Sequence, residues 1–372
     1  MLRTYEKIKT SGNARLGRYH TAHGVFNTPN FMPVGTKATV KGVDAERLKE
    51  TGCEITLVNT YHLWLRPGSA LVSRLGGIHK FCSWDGPILS DSGGYQVFSL
   101  RGIRKISEEG VEFRSHLDGS KQFLSPEGSI GVQEELGVDI AMALDECPAS
   151  DMEKDAVAKS LEMTIRWAQR SLNARRKDTT SIFGITQGGR HRDLRTKAAE
   201  ELSKISFDGM AVGGLSVGEP KEIMYEVLSY HVAQLPDAKI RYLMGVGTPE
   251  DIVTAVREGV DLFDCVMPTR AGRFGRAFIT GHAPFINIKN AQFAESTEPL
   301  DKTCSCIACR RYSRGYINHL FKAGEMLGPQ LVSTHNLTHY LTLMRNIRES
   351  IEKGTFEELY ANEKGRWRDI ES

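Results

Sequence analysis

The run "VDLFDCVMPTRAGRFGRAF", residues 260–278, ends a short apolar stretch in a carboxylate, Asp264, and follows it with a basic, glycine-containing loop. A lone aspartate beside arginines most often balances their charge. The same order suits a carboxylate that attacks something the arginines hold. Other short apolar runs end in the same manner. "GPILSDSGG" leads to Asp91, "DIAMALDEC" to Asp145 and "SIFGITQGG" to Gln187. "GMAVGGLSVGE" ends on Gly213 and Gly214, and "IRYLMGVGTPED" on Met244 and Gly245. A helix cap or an ion pair accounts for any one of these acids. Their recurrence at equivalent places argues for one shared site, in which aspartates can divide nucleophilic and proton-transfer work. Bare glycine backbone lets N–H and C=O groups approach a flat ligand closely, as recognition of a nucleobase edge requires.

These residues need elements that bring them together. "NFMPVGT", "EITLVNTYH" and "VDLFDCVMPTR" complete a series of eight short apolar runs with the segments above. Amphipathic stretches such as "SPEGSIGVQEELG", where Ser125 can cap, "HRDLRTKAAEELSKI" and "TPEDIVTAVREG" lie between them. Strands alternating with helices predict parallel βα units, and eight of them fit a closed (β/α)8 TIM barrel. A doubly wound open sheet is the alternative, weakened because the first strand lacks the G-x-G-x-x-G fingerprint. In a barrel the strand ends converge on one mouth. The first strand offers no His-x-His, which argues against a metal-dependent amidohydrolase there.

With 372 residues, 40% hydrophobic and 25% charged, the chain is expected to be an ordinary globular protein. A net charge of +2 announces no global basic field, so any nucleic-acid site must be a local patch. The opening residues lack a signal-peptide core, and no run approaches membrane-spanning length. Seven cysteines, mostly scattered, do not form a disulfide framework, so a reducing, cytoplasmic setting is expected. Cys304, Cys306 and Cys309 are the exception, a C-x-C-x2-C cluster. Zinc with a histidine as fourth ligand is the expected occupant, and His319, His335 and His339 are the candidates. Iron–sulfur ligation is a lesser alternative. A site with four protein ligands is closed and structural. Arg310, Arg311, Arg314 and Lys322 around it form a candidate RNA-facing surface, although each singly reads as part of a solvated helix face.

"SDSGGYQVFSL", "LDECPA", "GITQGG", "AVGGLSVGE", "MGVG", "DCVMPTR" and the cysteine cluster resemble, in order, the motifs of the queuine tRNA-ribosyltransferases, or tRNA-guanine transglycosylases. The resemblance runs from "GRYHTAHGVFNTPNFMPVGT" to the final helices. It implies one (β/α)8 barrel over 1–372 with a zinc-binding subdomain, 290–340, inserted after the eighth strand. It implies exchange of a guanine in tRNA for a 7-substituted deazaguanine without strand cleavage. Asp264 resembles the nucleophile that attacks C1′, and Asp91 the general acid/base. Asp145, Gln187 and the backbone at Gly214 and Leu215 resemble the readers of the base edge, with Tyr95 and Met244 on its two faces. Ser92, Gly93, Gly94, Cys147, Gly213, Val217 and Gly245 complete the implied base site.

The implied RNA track runs through Gly245, Val246, Gly247, Thr248, Pro249, Glu250 and Asp251, and through Thr269, Arg270, Ala271, Gly272 and Arg273. The last five fall in the expected flexible loop, with Arg276 farther along what reads as the next strand. The fourth metal ligand maps to His335. Cys147 and Val217 favour the bacterial branch, which inserts preQ1 (7-aminomethyl-7-deazaguanine) at the wobble position of G-U-N anticodon tRNAs, those for Asp, Asn, His and Tyr. The implied protein is a homodimer. The chain ends soon after the zinc region, unlike the archaeal branch with its added RNA-binding domains. Thr248 departs from the lysine of many bacterial members. A non-catalytic tRNA-binding partner is the rival class, but it predicts a damaged acid set. A glycoside hydrolase would share the carboxylates but has no use for the base-reading set or the cysteine cluster.

Overall fold

The computed structural model describes residues 2–99, 104–281 and 283–368. Each of the eight apolar runs forms a strand: β1 (Asn30–Pro33), β2 (Thr56–Val58), β3 (Ile88–Ser90), β4 (Ile140–Met142), β5 (Ser181–Thr186), β6 (Gly209–Val212), β7 (Ile240–Leu243) and β8 (Leu262–Cys265). All pair in parallel, in the order β1-β8-β7-β6-β5-β4-β3-β2. A parallel bridge from Val34 to Leu57 joins the two ends, so the sheet closes into a barrel.

Side-chain alternation along the strands sorts two cores. Phe31, Val58, Ile88, Ala141, Ile182, Val212, Leu243 and Phe263 face the surrounding helices. Met32, Leu57, Leu89, Met142, Ile185, Ala211, Tyr242 and Leu262 fill the barrel interior. This period of two has a consequence at the strand ends. Asn59, Asp91, Gln187, Gly213, Met244 and Asp264 each lie two residues beyond an interior position, so they continue the interior rows into the mouth.

The opposite end is plugged by residues the sequence reading left unassigned. An antiparallel meander, Thr4–Ser11, Ala14–Thr21 and Gly24–Thr28, packs Tyr19 and Phe26 against Phe183 and Met32. Arg15, 2% exposed, reaches fully buried Asp261 just before β8 with bonds of 2.7 and 3.1 Å. Tyr5 and the Arg241 N–H also donate to that carboxylate. Asp139 is likewise buried there, with His23 Nδ1 at 2.9 Å from one oxygen and His79 Nε2 at 3.0 Å from the other, the two rings stacked on each other. The His23 and Ile88 backbone N–H groups complete its hydrogen bonding, so both oxygens are satisfied within the protein.

Two excursions extend the barrel. A three-stranded antiparallel sheet, Arg104–Ser107, Gly110–Arg114 and Lys121–Leu124, follows β3. It leads into the helix Pro126–Leu136, which Ser125 caps by accepting from the Gly128 N–H at 3.0 Å. After β8, the segment expected as a flexible loop is instead a short helix, Met267–Arg273. Pro268 suits its first turn. Gly272 lets it lie against Ser333 of the long helix Leu327–Lys353, where an added Cβ would come within 2.7 Å of backbone. A hairpin, Arg276–Phe278 with Phe285–Asn287, and the helices Ile307–Arg311 and Arg314–Ala323 then gather around a small core of Ala277, Ile288, Leu300, Ile317, Leu320 and Leu331. Among the described residues no helix is long and apolar enough to cross a membrane.

Candidate active site

The strand ends enclose a cleft of about 460 Å³. Asp91, Ser92, Gly93, Tyr95, Asp145, Cys147, Gln187, Gly213, Gly214, Leu215, Val217, Met244, Gly245, Asp264 and Arg270 all line it. Gly94 does not. It lies under the wall, where a Cβ would meet the Asp145 carbonyl at 3.1 Å.

Asp264, the penultimate residue of β8, pairs with Met32 of β1. The Tyr242 hydroxyl and the Gly245 N–H both donate to its Oδ1, at 2.6 and 2.7 Å. Among the described residues nothing donates to Oδ2. One oxygen is therefore anchored and the other is available. Burial raises this carboxyl above its ordinary range, and the two hydrogen bonds pull it back. Gly245 holds a φ of +72°, which glycine adopts at little cost. Sequence reasoning missed Tyr242, since a tyrosine in an apolar strand reads as core.

Asp91 sits just past β3. The Thr60 and Gly93 N–H groups donate to its Oδ1 at 3.0 and 3.1 Å, and the Asn59 amide donates to Oδ2. Burial still pushes its carboxyl up to about 7, and the negative charge of Asp264 adds to the rise. Near neutral pH it can both give and take a proton. Asn59 was also missed, although it continues the interior row of β2.

Asp145 and Gln187 form a third group. The Gln187 amide donates to Asp145 Oδ2 at 2.6 Å, while burial raises the carboxyl to about 6. Gln187 Oε1 is buried with no donor among the described residues. Gly213 and Gly214 lie against this amide, and an added Cβ at Gly214 would sit 2.2 Å from Oε1. Tyr95 stands at the mouth, 57% exposed. Burial pushes the Cys147 thiol up to about 12, so it is neutral.

The carboxylates, the amide and the glycine backbone thus share one mouth, in the order the motifs prescribe. A family model described as queuine tRNA-ribosyltransferase matches residues 10–368. The queuine tRNA-ribosyltransferases of Staphylococcus aureus strains bovine RF122 / ET3-1 and JH9 are each 53% identical over 353 residues, covering 94% of this chain and 93% of theirs. The chain belongs to the queuine tRNA-ribosyltransferase family.

The rim of the mouth carries the residues expected from the sequence to form the RNA track. Arg270 is exposed, Arg273 partly so, and Phe274 beside them is 69% exposed. Arg276 lies beyond, on the hairpin, with its guanidinium 4.3 Å over the Phe285 ring. In the "GVGTPED" stretch Gly245 is exposed and Thr248 partly exposed, whereas Val246, Gly247, Pro249, Glu250 and Asp251 are buried. Thr248 caps the helix Pro249–Arg257, accepting from the Asp251 N–H at 3.1 Å, while Asp251 accepts from the Thr248 N–H. Thr269, Ala271 and Gly272 pack inward or at the helix flank, leaving Arg270 as the exposed member of that group.

Cys304, Cys306, Cys309 and His335 meet near the C-terminal end, with ligand atoms all within 4.8 Å of one another, and could hold a metal ion. His335 Nδ1 lies 3.6 and 3.3 Å from the sulfurs of Cys306 and Cys309. Tetrahedral zinc, with bonds of about 2.3 Å to sulfur and 2.0 Å to nitrogen, requires about 3.5 Å. His335 Nε2 faces the Phe278 carbonyl at 2.6 Å, which fixes its proton there and turns the lone pair of Nδ1 to the sulfurs. His319 is exposed and outside the cluster, and His339 stacks on Phe278 instead.

Proposed function

We propose that this protein exchanges the wobble guanine of G-U-N anticodon tRNAs for preQ1 by double displacement, in the cytoplasm and as a homodimer. The observation that carries the base preference is the polarity of the cleft wall. Gly214 and Leu215 N–H groups have no acceptor among the described residues, while the Asp145 carboxylate, held by the Gln187 amide, offers acceptors beside them. A guanine-type edge presents one carbonyl oxygen followed by two N–H donors and complements that order. An adenine edge, with its donor first, does not. Tyr95 and Met244 stack on the faces of the base, which offsets the cost of about a few kcal/mol for leaving the anticodon stack.

Asp264 Oδ2 then attacks C1′, forming an ester as guanine departs with the bonding electrons. Asp91 supplies a proton to the departing base and later accepts one from preQ1. The ester conserves the glycosidic bond energy, so no nucleotide hydrolysis is required. Arg270 and Arg273 hold the neighbouring nucleotides. Cys304, Cys306, Cys309 and His335 hold one structural zinc ion, which supplies cross-linking rather than chemistry.

The exchange itself is tested by incorporation of radiolabelled guanine into unmodified tRNA. Absence of incorporation would sink the reading. Base size is tested by competing preQ1 against queuine. Cys147 and Val217 narrow the space beyond the 7-position, so preQ1 is expected to be favoured by about 10- to 100-fold. Comparable efficiencies for the two bases would assign the protein to the other specificity.

Proton transfer gives a second expected result. With the Asp91 carboxyl at about 7, guanine expulsion requires its protonated form. Adduct formation without an incoming base should therefore slow as pH rises above about 7, with a one-proton slope. In Asp91→Asn that alkaline limb should be absent. Adduct formation that is independent of pH in the wild type across neutrality would remove Asp91 from the role of acid.

A further inference from the structure

Arg195 lies directly behind the base-binding wall. It sits in the helix Arg192–Ser203 and is fully buried. Among the described residues no carboxylate comes within 4.0 Å of it. Its guanidinium instead donates to backbone carbonyls. Nε reaches Gly189 O at 2.8 Å, Nη1 reaches Gly213 O at 2.9 Å and Thr186 O at 3.4 Å, and Nη2 reaches Gly214 O at 3.2 Å. A buried guanidinium facing only neutral acceptors is costly to keep charged, and burial lowers it to about 10. It remains cationic at neutral pH.

The two carbonyls at Gly213 and Gly214 belong to the peptide units whose N–H groups are those of Gly214 and Leu215. In a planar trans peptide the N–H points opposite to the C=O. Carbonyls turned back onto Arg195 therefore turn these N–H groups toward the cleft, which both residues line. A cation on a carbonyl oxygen draws electron density through the amide and makes its N–H a stronger donor. The resulting pair is a preorganised receptor for an oxygen that gains negative charge.

We infer that Arg195 is a positioning residue that polarises the Gly214 and Leu215 N–H groups, so that they stabilise the developing negative charge on the 6-oxygen of the departing guanine. The inference rests on the base-exchange reading above. As the C1′–N9 bond breaks, its electron pair leaves with the purine, and part of that charge resides on the 6-oxygen. Asp264 supplies the new bond to C1′. Arg195 touches neither substrate nor reacting atoms, and it contributes through the two peptide units. It also fixes Gly214 in its left-handed conformation, φ +65°, by tying Gly189 and Gly214 to one rigid group.

The test compares Arg195→Met and Arg195→Lys with the wild type, using two free bases. Guanine carries the 6-oxygen, and 2-aminopurine lacks it. Calorimetric or competitive binding should show guanine weakened by about tenfold in Arg195→Met. Affinity for 2-aminopurine should change less than about twofold, since it forms no bond to the polarised pair. Arg195→Lys keeps the charge but reaches fewer carbonyls, and should fall between. With tRNA, kcat/KM should drop at least as much as guanine affinity, and part of that loss should remain in kcat at saturation, because charge on the oxygen is greatest in the transition state.

Equal weakening of both bases would mean that Arg195 only supports the fold of the wall, and unchanged guanine affinity would end the idea. If Arg195→Met does not fold, the same two-base comparison in Arg195→Lys decides between these outcomes. Base binding is measured without tRNA. A wild type that shows this 6-oxygen selectivity but no guanine exchange would overturn the proposed function while leaving the polarised receptor standing.

Discussion

Asp264→Asn is expected to abolish base exchange, by about 10⁴-fold or more, while leaving tRNA binding intact. The substitution is nearly isosteric. The Tyr242 hydroxyl and the Gly245 N–H can still donate to the retained oxygen. What disappears is the anionic second oxygen, to which no described residue donates and which is the oxygen proposed to attack C1′. Burial raises the native carboxyl, so its two hydrogen bonds matter twice: they keep it ionised and they aim it. In the wild type, denaturing electrophoresis should show a shifted tRNA–protein band when departing guanine is not efficiently replaced. That band should be missing in Asp264→Asn. Asp91→Asn should still form some adduct, since the attacking group remains, but should complete exchange with preQ1 slowly. Peptide mapping of the adduct checks the assignment. Attachment at Asp91 would exchange the two roles, and an active enzyme with no attachment at either would defeat double displacement.

Much of this site is legible in the sequence because barrel geometry and strand alternation act together. Once β3, β5 and β8 are recognised, parity alone carries Asp91, Gln187 and Asp264 into the interior rows and up to the mouth. The residues missed share a different logic. Asn59 and Tyr242 follow the same parity, but an asparagine before a helix reads as a cap, which Asn59 also is, accepting from the His62 N–H. Arg195 lies in the first turn of its helix, inside an amphipathic stretch in which nothing local singles it out. Only the packed structure reveals that its partners are four carbonyls at and beyond the ends of two neighbouring strands, β5 and β6.

The N-terminal meander was unreadable as a plug for a similar reason. Its middle strand alternates buried and exposed positions like any half-buried strand, and nothing local names the barrel floor as its partner. The loop expected after β8 is helical because Gly272 permits contact with a helix about sixty residues away, a tertiary effect no local pattern carries.

That contact gives the second large effect. Cys306→Ser is expected to lose the metal ion, and with it much of the ~10 kcal/mol that a four-ligand zinc site can contribute to folding. The core around the cluster is small, and the long helix that supplies His335 also packs on the segments proposed to carry RNA. Asn336, the next residue, donates to the carbonyls of Pro268 and Arg276 at 2.9 Å and accepts from the Phe278 N–H at the same distance. Ser333 backs Gly272, and the Tyr340 hydroxyl holds the Gly247 carbonyl at 2.6 Å. One helix therefore links the metal cluster to the segment bearing Arg270 and Arg273 and to the loop after β7. The base cleft, by contrast, is built from barrel strands.

Cys306→Ser should thus weaken tRNA binding strongly and free-base binding little. His335→Ala should release the metal as well, whereas His319→Ala should retain it. Metal content, thermal unfolding and the two affinities measured on the same preparations check this. A metal-free variant with unchanged stability and tRNA affinity would show that the cluster neither holds a structural ion nor supports the RNA track. Equal loss of both affinities would mean that the barrel itself depends on the metal. The ordered case, tRNA binding lost first, follows only if the long helix carries the coupling.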